Sequence, residues 1–146
     1  MLHQKQNITE VFIMEKNYSI MKIGTLEGDL ADKGRIMIGR ELGLTGSEIS
    51  LNYPAAGMFA PFVHSHKLNE EVYIILSGKG MFMVDGEEFL IQEGDVIRVS
   101  PEGGRAIKSE DNMSYICIQT HGGSLTQSTN DDAELTESKA SWMKDQ

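Results

Sequence analysis

The sequence is poor in cysteine, in basic residues and in long apolar runs, and each shortage removes a class of protein. Cys117 stands alone, so there is no disulfide framework and no thiolate cage for a metal. Thirteen Lys and Arg against 22 Asp and Glu leave a net charge of −9. A nucleic-acid backbone demands the opposite, a clustered basic face. The longest apolar runs, such as VYIIL at 72–76, are far too short to span a bilayer. VFIM at 11–14, flanked by Glu10 and Glu15, is too brief for the apolar core of a signal peptide. A cytoplasmic location is therefore expected, with neither nucleic acid nor membrane as partner.

What remains is globular material: 40% of the 146 residues are hydrophobic and 24% charged, a composition that folds in water. A single domain is expected over 1–125, followed by an acidic tail at 126–146. In that tail Asp131-Asp132-Ala133-Glu134 resembles a capping box, and Leu135, Lys139, Trp142 and Met143 fall on one helical stripe. The tail either forms a short helix or docks the sole tryptophan onto the domain.

Glycines break the first fifty residues into short pieces, of which GRIMIGRE at 34–41 reads as one strand. EISLNY at 48–53 sets Ile49, Leu51 and Tyr53 against polar neighbours, the alternation of a half-buried strand. Beyond Gly57 short β-rich runs alternate with turn signals at Ser77–Gly80, Asp85-Gly86, Glu93-Gly94 and Pro101–Gly104. Such spacing predicts an all-β antiparallel sandwich or barrel with little or no helix. A four-residue turn at 77–80 sets Ile75 opposite Phe82, and a two-residue turn at 85–86 sets Phe82 opposite Phe89. Glu71, Tyr73, Ile75, Phe82, Val84, Phe89 and Ile91 then share one face. The other face, with Val72, Ile74, Leu76, Met81, Met83 and Leu90, is apolar too. Something must cover it. The N-terminal strands and a second copy in a homodimer are the expected covers.

Chemistry concentrates in HSHKLNEE at 64–71. On a strand, His64 and His66 point the same way. Glu71 has the wrong parity for one unbroken strand, so the chain must turn between them and can bring Glu71 back to the histidines. Two imidazoles and a carboxylate with open positions suit a divalent Fe, and Mn, Ni and Zn accept the same ligand types. His3 and His121 are the reserve donors, each beside a terminus or loop.

At this point the chain resembles the cupin superfamily, whose barrels are of jelly-roll type. Gly57, His64, His66, Glu71 and Gly78 match its first motif, and the spacing to Gly78 selects Glu71 over Glu70. GDVIRVSPEGGRA at 94–106 is similar to its second motif through Pro101 and Gly103, but the family's fourth ligand falls on Ala106. The resemblance implies a divalent metal ion on His64, His66 and Glu71. It also implies either a dioxygenase, decarboxylase or isomerase acting on a small organic acid or sugar-derived molecule, or a non-catalytic module binding a small molecule. Arg105, beside the vacant position, either clamps a substrate carboxylate or faces solvent. Tyr73 either fills core space or donates a proton near the metal, and Met58, Phe59 and Phe62 are expected at an apolar mouth.

Overall fold

The computed structural model describes residues 10–13 and 17–143. Strands β1 (Glu10–Ile13) and β2 (Ser19–Lys22) form a separate antiparallel ribbon. The remaining strands are β3 (Arg35–Met37), β4 (Glu48–Asn52), β5 (Asn69–Val84), β6 (Glu87–Gln92), β7 (Val96–Val99) and β8 (Arg105–His121). They make one antiparallel sheet in the order β3-β4-β8-β5-β6, with β7 on the free flank of β5. Helix is confined to short turns.

The long strands β5 and β8 pair from end to end, while the other edge of β5 is shared by β7 along Glu71–Ile74 and by β6 along Lys79–Val84. A sixteen-residue strand must bend to do this. It bends at Ser77–Gly80, which is therefore not the turn expected from its glycines. The register against β8 slips at Ile75/Ser77, Ser77/Lys79 and Lys79/Gly80. Gly78 has φ +69°, and a Cβ there would meet the Asp111 carbonyl oxygen at 2.1 Å; one on Gly80 would meet that of Lys108 at 2.2 Å. The glycines serve close backbone approach at an irregularity rather than chain reversal. Because the slip also reverses parity, Ile75 and Phe82, seven residues apart, both face inward, each about 1% exposed. The expected common face survives, produced by a bulge instead of a turn.

Asp85-Gly86 does reverse the chain, with φ of 49° and 86°, and Phe82 lies opposite Phe89 as expected. The inner core comprises Tyr73, Ile75, Phe82, Ile91, Val99, Met113 and Cys117. Phe89 sits at its rim, 38% exposed.

The segment at 34–41 is not one strand. After β3 the chain enters a helical turn, α1 (Ile38–Leu42), which ends at Gly43 in the left-handed conformation. Gly39 lets this turn press on β4, since a Cβ there would come within 2.7 Å of Glu48 Oε1. Strand β4 occurs where expected, but both of its faces are covered. Leu51 joins Leu30 and Ile36 in a second core outside the barrel, with Leu76 packed against it, whereas Ser50 and Asn52 are buried on the inner side. N-terminal residues thus cover part of the outer apolar face; Leu90 on the same face is 74% exposed.

The tail forms one helical turn, α2 (Thr129–Asp132), closed by a capping box between Ser128 and Asp131, three residues before the expected one. Neither the helical stripe nor the docked tryptophan occurs, as Leu135 and Trp142 are both exposed. Among the described residues no helix is long and apolar enough to cross a membrane.

The second core carries a direct consequence for stability. Leu30→Ala removes a side chain with no solvent exposure and is expected to cost about 2–5 kcal/mol. Leu135→Ala, on the exposed tail, is expected to stay within about 0.5 kcal/mol. Urea unfolding midpoints of the two variants check the contrast.

Candidate metal centre

The segment before β5 is pinned to the stretch before β8 by main-chain hydrogen bonds. The His64 amide donates to the Arg105 carbonyl at 3.2 Å, the Arg105 amide donates back at 2.9 Å, and the His66 amide donates to Pro101 at 2.8 Å. This places both imidazoles over the third residue of β5, with their rings edge to face and 5.2 Å apart. Glu71 points inward and is 2% exposed. Its neighbour Glu70 has the opposite parity and accepts from Arg98 Nε at 2.8 Å on the outside. One donor atom from each of His64, His66 and Glu71 lies within 4.8 Å of the others.

The two carboxylate oxygens of Glu71 have different tasks. Oε2 accepts from the Tyr73 hydroxyl at 2.5 Å and from Cys117 Sγ at 2.9 Å. Oε1 faces His66 Nε2 directly, His64 Nε2 at 3.6 Å and Arg105 Nη1 at 3.7 Å. Burial alone pushes the Glu71 pKa up. The Cys117 and Tyr73 donors, with Arg105 and His66 beside them, outweigh it and hold the carboxyl below its usual range. Glu71 is thus an anion in place, fixed through one oxygen and open at the other.

Glu71 Oε1 and His66 Nε2 are buried without a hydrogen-bond partner. Buried polar atoms are rarely left so. A cation on Oε1 and the two Nε2 atoms would satisfy both, and the nitrogen and oxygen donors are those a divalent transition metal accepts. The residues fit the ion.

Arg105 differs from expectation. Side chains alternate along β8, so Ala106, opposite Met83, is turned outward and Arg105, opposite Val84, is turned inward. The second motif therefore offers a guanidinium to the site rather than a gap. Arg105 is 1% exposed, its Nη2 donates to the Ser100 carbonyl at 2.8 Å, and it does not line the cavity beside the donors. It bears on Glu71 and is not placed to clamp a ligand. Tyr73 does line that cavity, as does Phe62, whereas Phe59 lies over Lys108 in a separate groove. His121 is exposed at the end of β8, opposite Asn69, and His3 lies outside the described residues.

Four contributors were missed. Cys117 reads from the sequence as a packed strand residue, yet its thiol holds Glu71. Ser50, Asn52 and Arg35 line the cavity from β4 and β3. The signal was present for β4: its polar alternates point to one face, and that face proves to be the interior.

A family model described as a cupin domain matches residues 51–119, from β4 to near the end of β8. A cupin protein of Bacteroides fragilis, known from its crystal structure, is 41% identical, the match covering 83% of this chain and 98% of that one with a TM-score of 0.74. A sugar phosphate isomerase of the cupin superfamily from Silicibacter pomeroyi is 18% identical over 77% of this chain and 71% of its own, with a TM-score of 0.54, a likeness of fold. An uncharacterized protein of Methanocaldococcus jannaschii is 35% identical over 51 residues, which is 35% of this chain and 41% of that relative's length. The antiparallel jelly-roll barrel, the matched segment and the Bacteroides relative together carry the conclusion: this chain belongs to the cupin superfamily.

Proposed function

We propose that the protein binds a divalent transition-metal ion through His64, His66 and Glu71 and acts on a small organic acid or sugar-derived molecule held in the adjoining cavity. The observation that carries this reading is the convergence of three donor atoms on one point, with the buried lone pairs of Glu71 Oε1 and His66 Nε2 unsatisfied. Such an ion polarises a bound oxygen atom or supports oxidation, the chemistry of dioxygenase, decarboxylase and isomerase types alike. The chain's own groups do the rest. Tyr73 and Cys117 hold Oε2 and so aim Oε1 at the histidines. Burial raises the pKa of both hydroxyl and thiol well above their ordinary ranges, and the bond to Glu71 adds to it. Both keep their protons at neutral pH, so Tyr73 is no base and serves Glu71 as a hydrogen-bond donor, and Cys117 is no nucleophile. Phe62 and Ile107 keep the neighbouring wall apolar.

A second reading rests on Arg105. Its guanidinium, 3.7 Å from Oε1, already supplies positive charge beside Glu71. A metal-free module that binds a small molecule follows if that charge is sufficient. We further propose a homodimer covering the outer face around Leu90.

Elemental analysis of protein purified without added metal separates the two readings. Near-stoichiometric Fe, Mn, Ni or Zn, lost in His66→Ala and Glu71→Ala, is the expected outcome; metal-free wild type that still binds an organic ligand favours the second. In solution at micromolar concentration the expected mass is that of a dimer, checked by light scattering, and a monomer removes the dimer proposal. For Cys117, native protein at pH 8 is expected to react with iodoacetamide at least about 100-fold more slowly than urea-unfolded protein. The folded thiol pKa lies above the unfolded value, so its contribution is complete below about pH 8.5 and is lost as pH rises. Cys117→Ala is accordingly expected to lose less stability than wild type between pH 7 and 10, read from urea midpoints.

A further inference from the structure

The cavity beside the donor cluster has a volume of about 330 Å3, at the small end of ligand pockets. Its lining includes His64, His66 and Glu71 together with Arg35, Ser50 and Asn52 from β3 and β4. The pairing explains how they assemble. Arg35 lies opposite Asn52 across β3 and β4, Asn52 opposite Tyr115 and Ser50 opposite Cys117 across β4 and β8, and Cys117 opposite Tyr73 across β8 and β5. These residues share the inner face. Asn52 Nδ2 donates to Ser50 Oγ at 3.0 Å and both side chains are buried, so this polar wall is built and held.

Of the four arginines, Arg98 is paired with Glu70, and Arg105 lies against Glu71. Arg35 and Arg40 have no carboxylate partner among the described residues, although the chain carries 22 acids against 13 bases. Of these two only Arg35, exposed on the edge strand β3, lines the cavity, and among the described residues no other Lys or Arg does so. Its charge reaches inward, favouring the ionised forms of Tyr115 and Cys117, though burial dominates both groups. Arg35 gives its side of the cavity a positive charge whether or not the donor cluster holds an ion. That field suits an anion.

We propose that Arg35 is the specificity-determining anchor for a ligand carboxylate, with Asn52 beside it, while the ligand's other end faces the donor cluster. The proposal deepens the organic-acid reading above and rests on it for the ligand class, but it does not depend on the metal. A single planar guanidinium fits a carboxylate through two parallel hydrogen bonds. A phosphoryl group, with more charge, would call for additional cations or a helix N-terminus, which this wall does not offer. Arg35 lies three strand spacings from β5, in the row of Ile75 and four residues along from Glu71, so the two backbones stand roughly 20 Å apart along the curved sheet. Two inward side chains then leave room for a ligand of a few carbons.

Calorimetric titration with succinate and 2-oxoglutarate, and with uncharged succinamide as control, tests this on the full chain. Wild type is expected to bind at least one of the two acids and to ignore the amide. Arg35→Gln is expected to weaken that binding roughly tenfold or more, and Arg35→Lys to fall between, because charge is kept and the fork is lost. Arg98→Gln, outside the cavity, is the control and is expected to bind as wild type. Metal content is measured on every sample. Loss of acid binding in Arg35→Gln with unchanged metal content supports the anchor; the same loss in protein that holds no metal supports the anchor while defeating the metal reading. Wild-type affinity in Arg35→Gln, equal binding of succinamide, or failure of both acids to bind wild type overturns it.

Discussion

The buried carboxylate of Glu71 is the constraint around which the site is arranged. An ionised carboxyl at 2% exposure is costly unless it is paired and hydrogen-bonded, and stripping a buried charge of its partner typically costs about 3–5 kcal/mol. Here the compensation comes from three side chains on two strands. Tyr73 donates from the same strand, Cys117 from β8, and Arg105 stands at the start of β8. The donors take Oε2 and leave Oε1 toward the histidines. A carboxylate so held cannot rotate to satisfy both oxygens within the protein, and its free lone pairs are directed where two imidazole nitrogens already point.

That arrangement depends on strand parity more than on distance along the chain. Tyr73 reaches Glu71 because they are two apart on β5, and Cys117 because it lies opposite Tyr73 on β8. The same parity sends Glu70 out to Arg98 and turns Ala106 away from the site. The irregularity at Ser77–Gly80 lets both halves of β5 keep their apolar residues inside after the bend. Without it, Phe82 and Glu71 would lie on opposite faces.

Much of this was legible in the sequence, and for a physical reason. Period-two alternation, the Asp-Gly reversal and the spacing of His64, His66 and Glu71 are local signals that burial reinforces. The failures came where two backbones meet. Glycine at a turn and glycine at a close strand crossing look alike in one dimension, and Gly78 and Gly80 were of the second kind. Arg35–Met37 and Ile38–Leu42 read as one strand because the helical turn has no capping side chain and is held by packing on β4. Arg105 was misplaced because a position counted from a motif carries no parity of its own. Ser50, Asn52 and Cys117 were ordinary until β4, β8 and β5 were laid side by side.

Strand β3 and the second core under it have a wider consequence. The groups that converge on Glu71 come from the middle of the chain, inside the segment that matches the family model at 51–119, whereas Arg35 lies before it. The candidate donor cluster and Arg35 thus come from separate stretches of polypeptide, hydrogen-bonded into one sheet through β4 and packed together through Leu76 and Ile116. On the reading proposed above, change in the leading stretch retunes the Arg35 side of the cavity without disturbing His64, His66 and Glu71, so divergence among relatives has a ready place to begin.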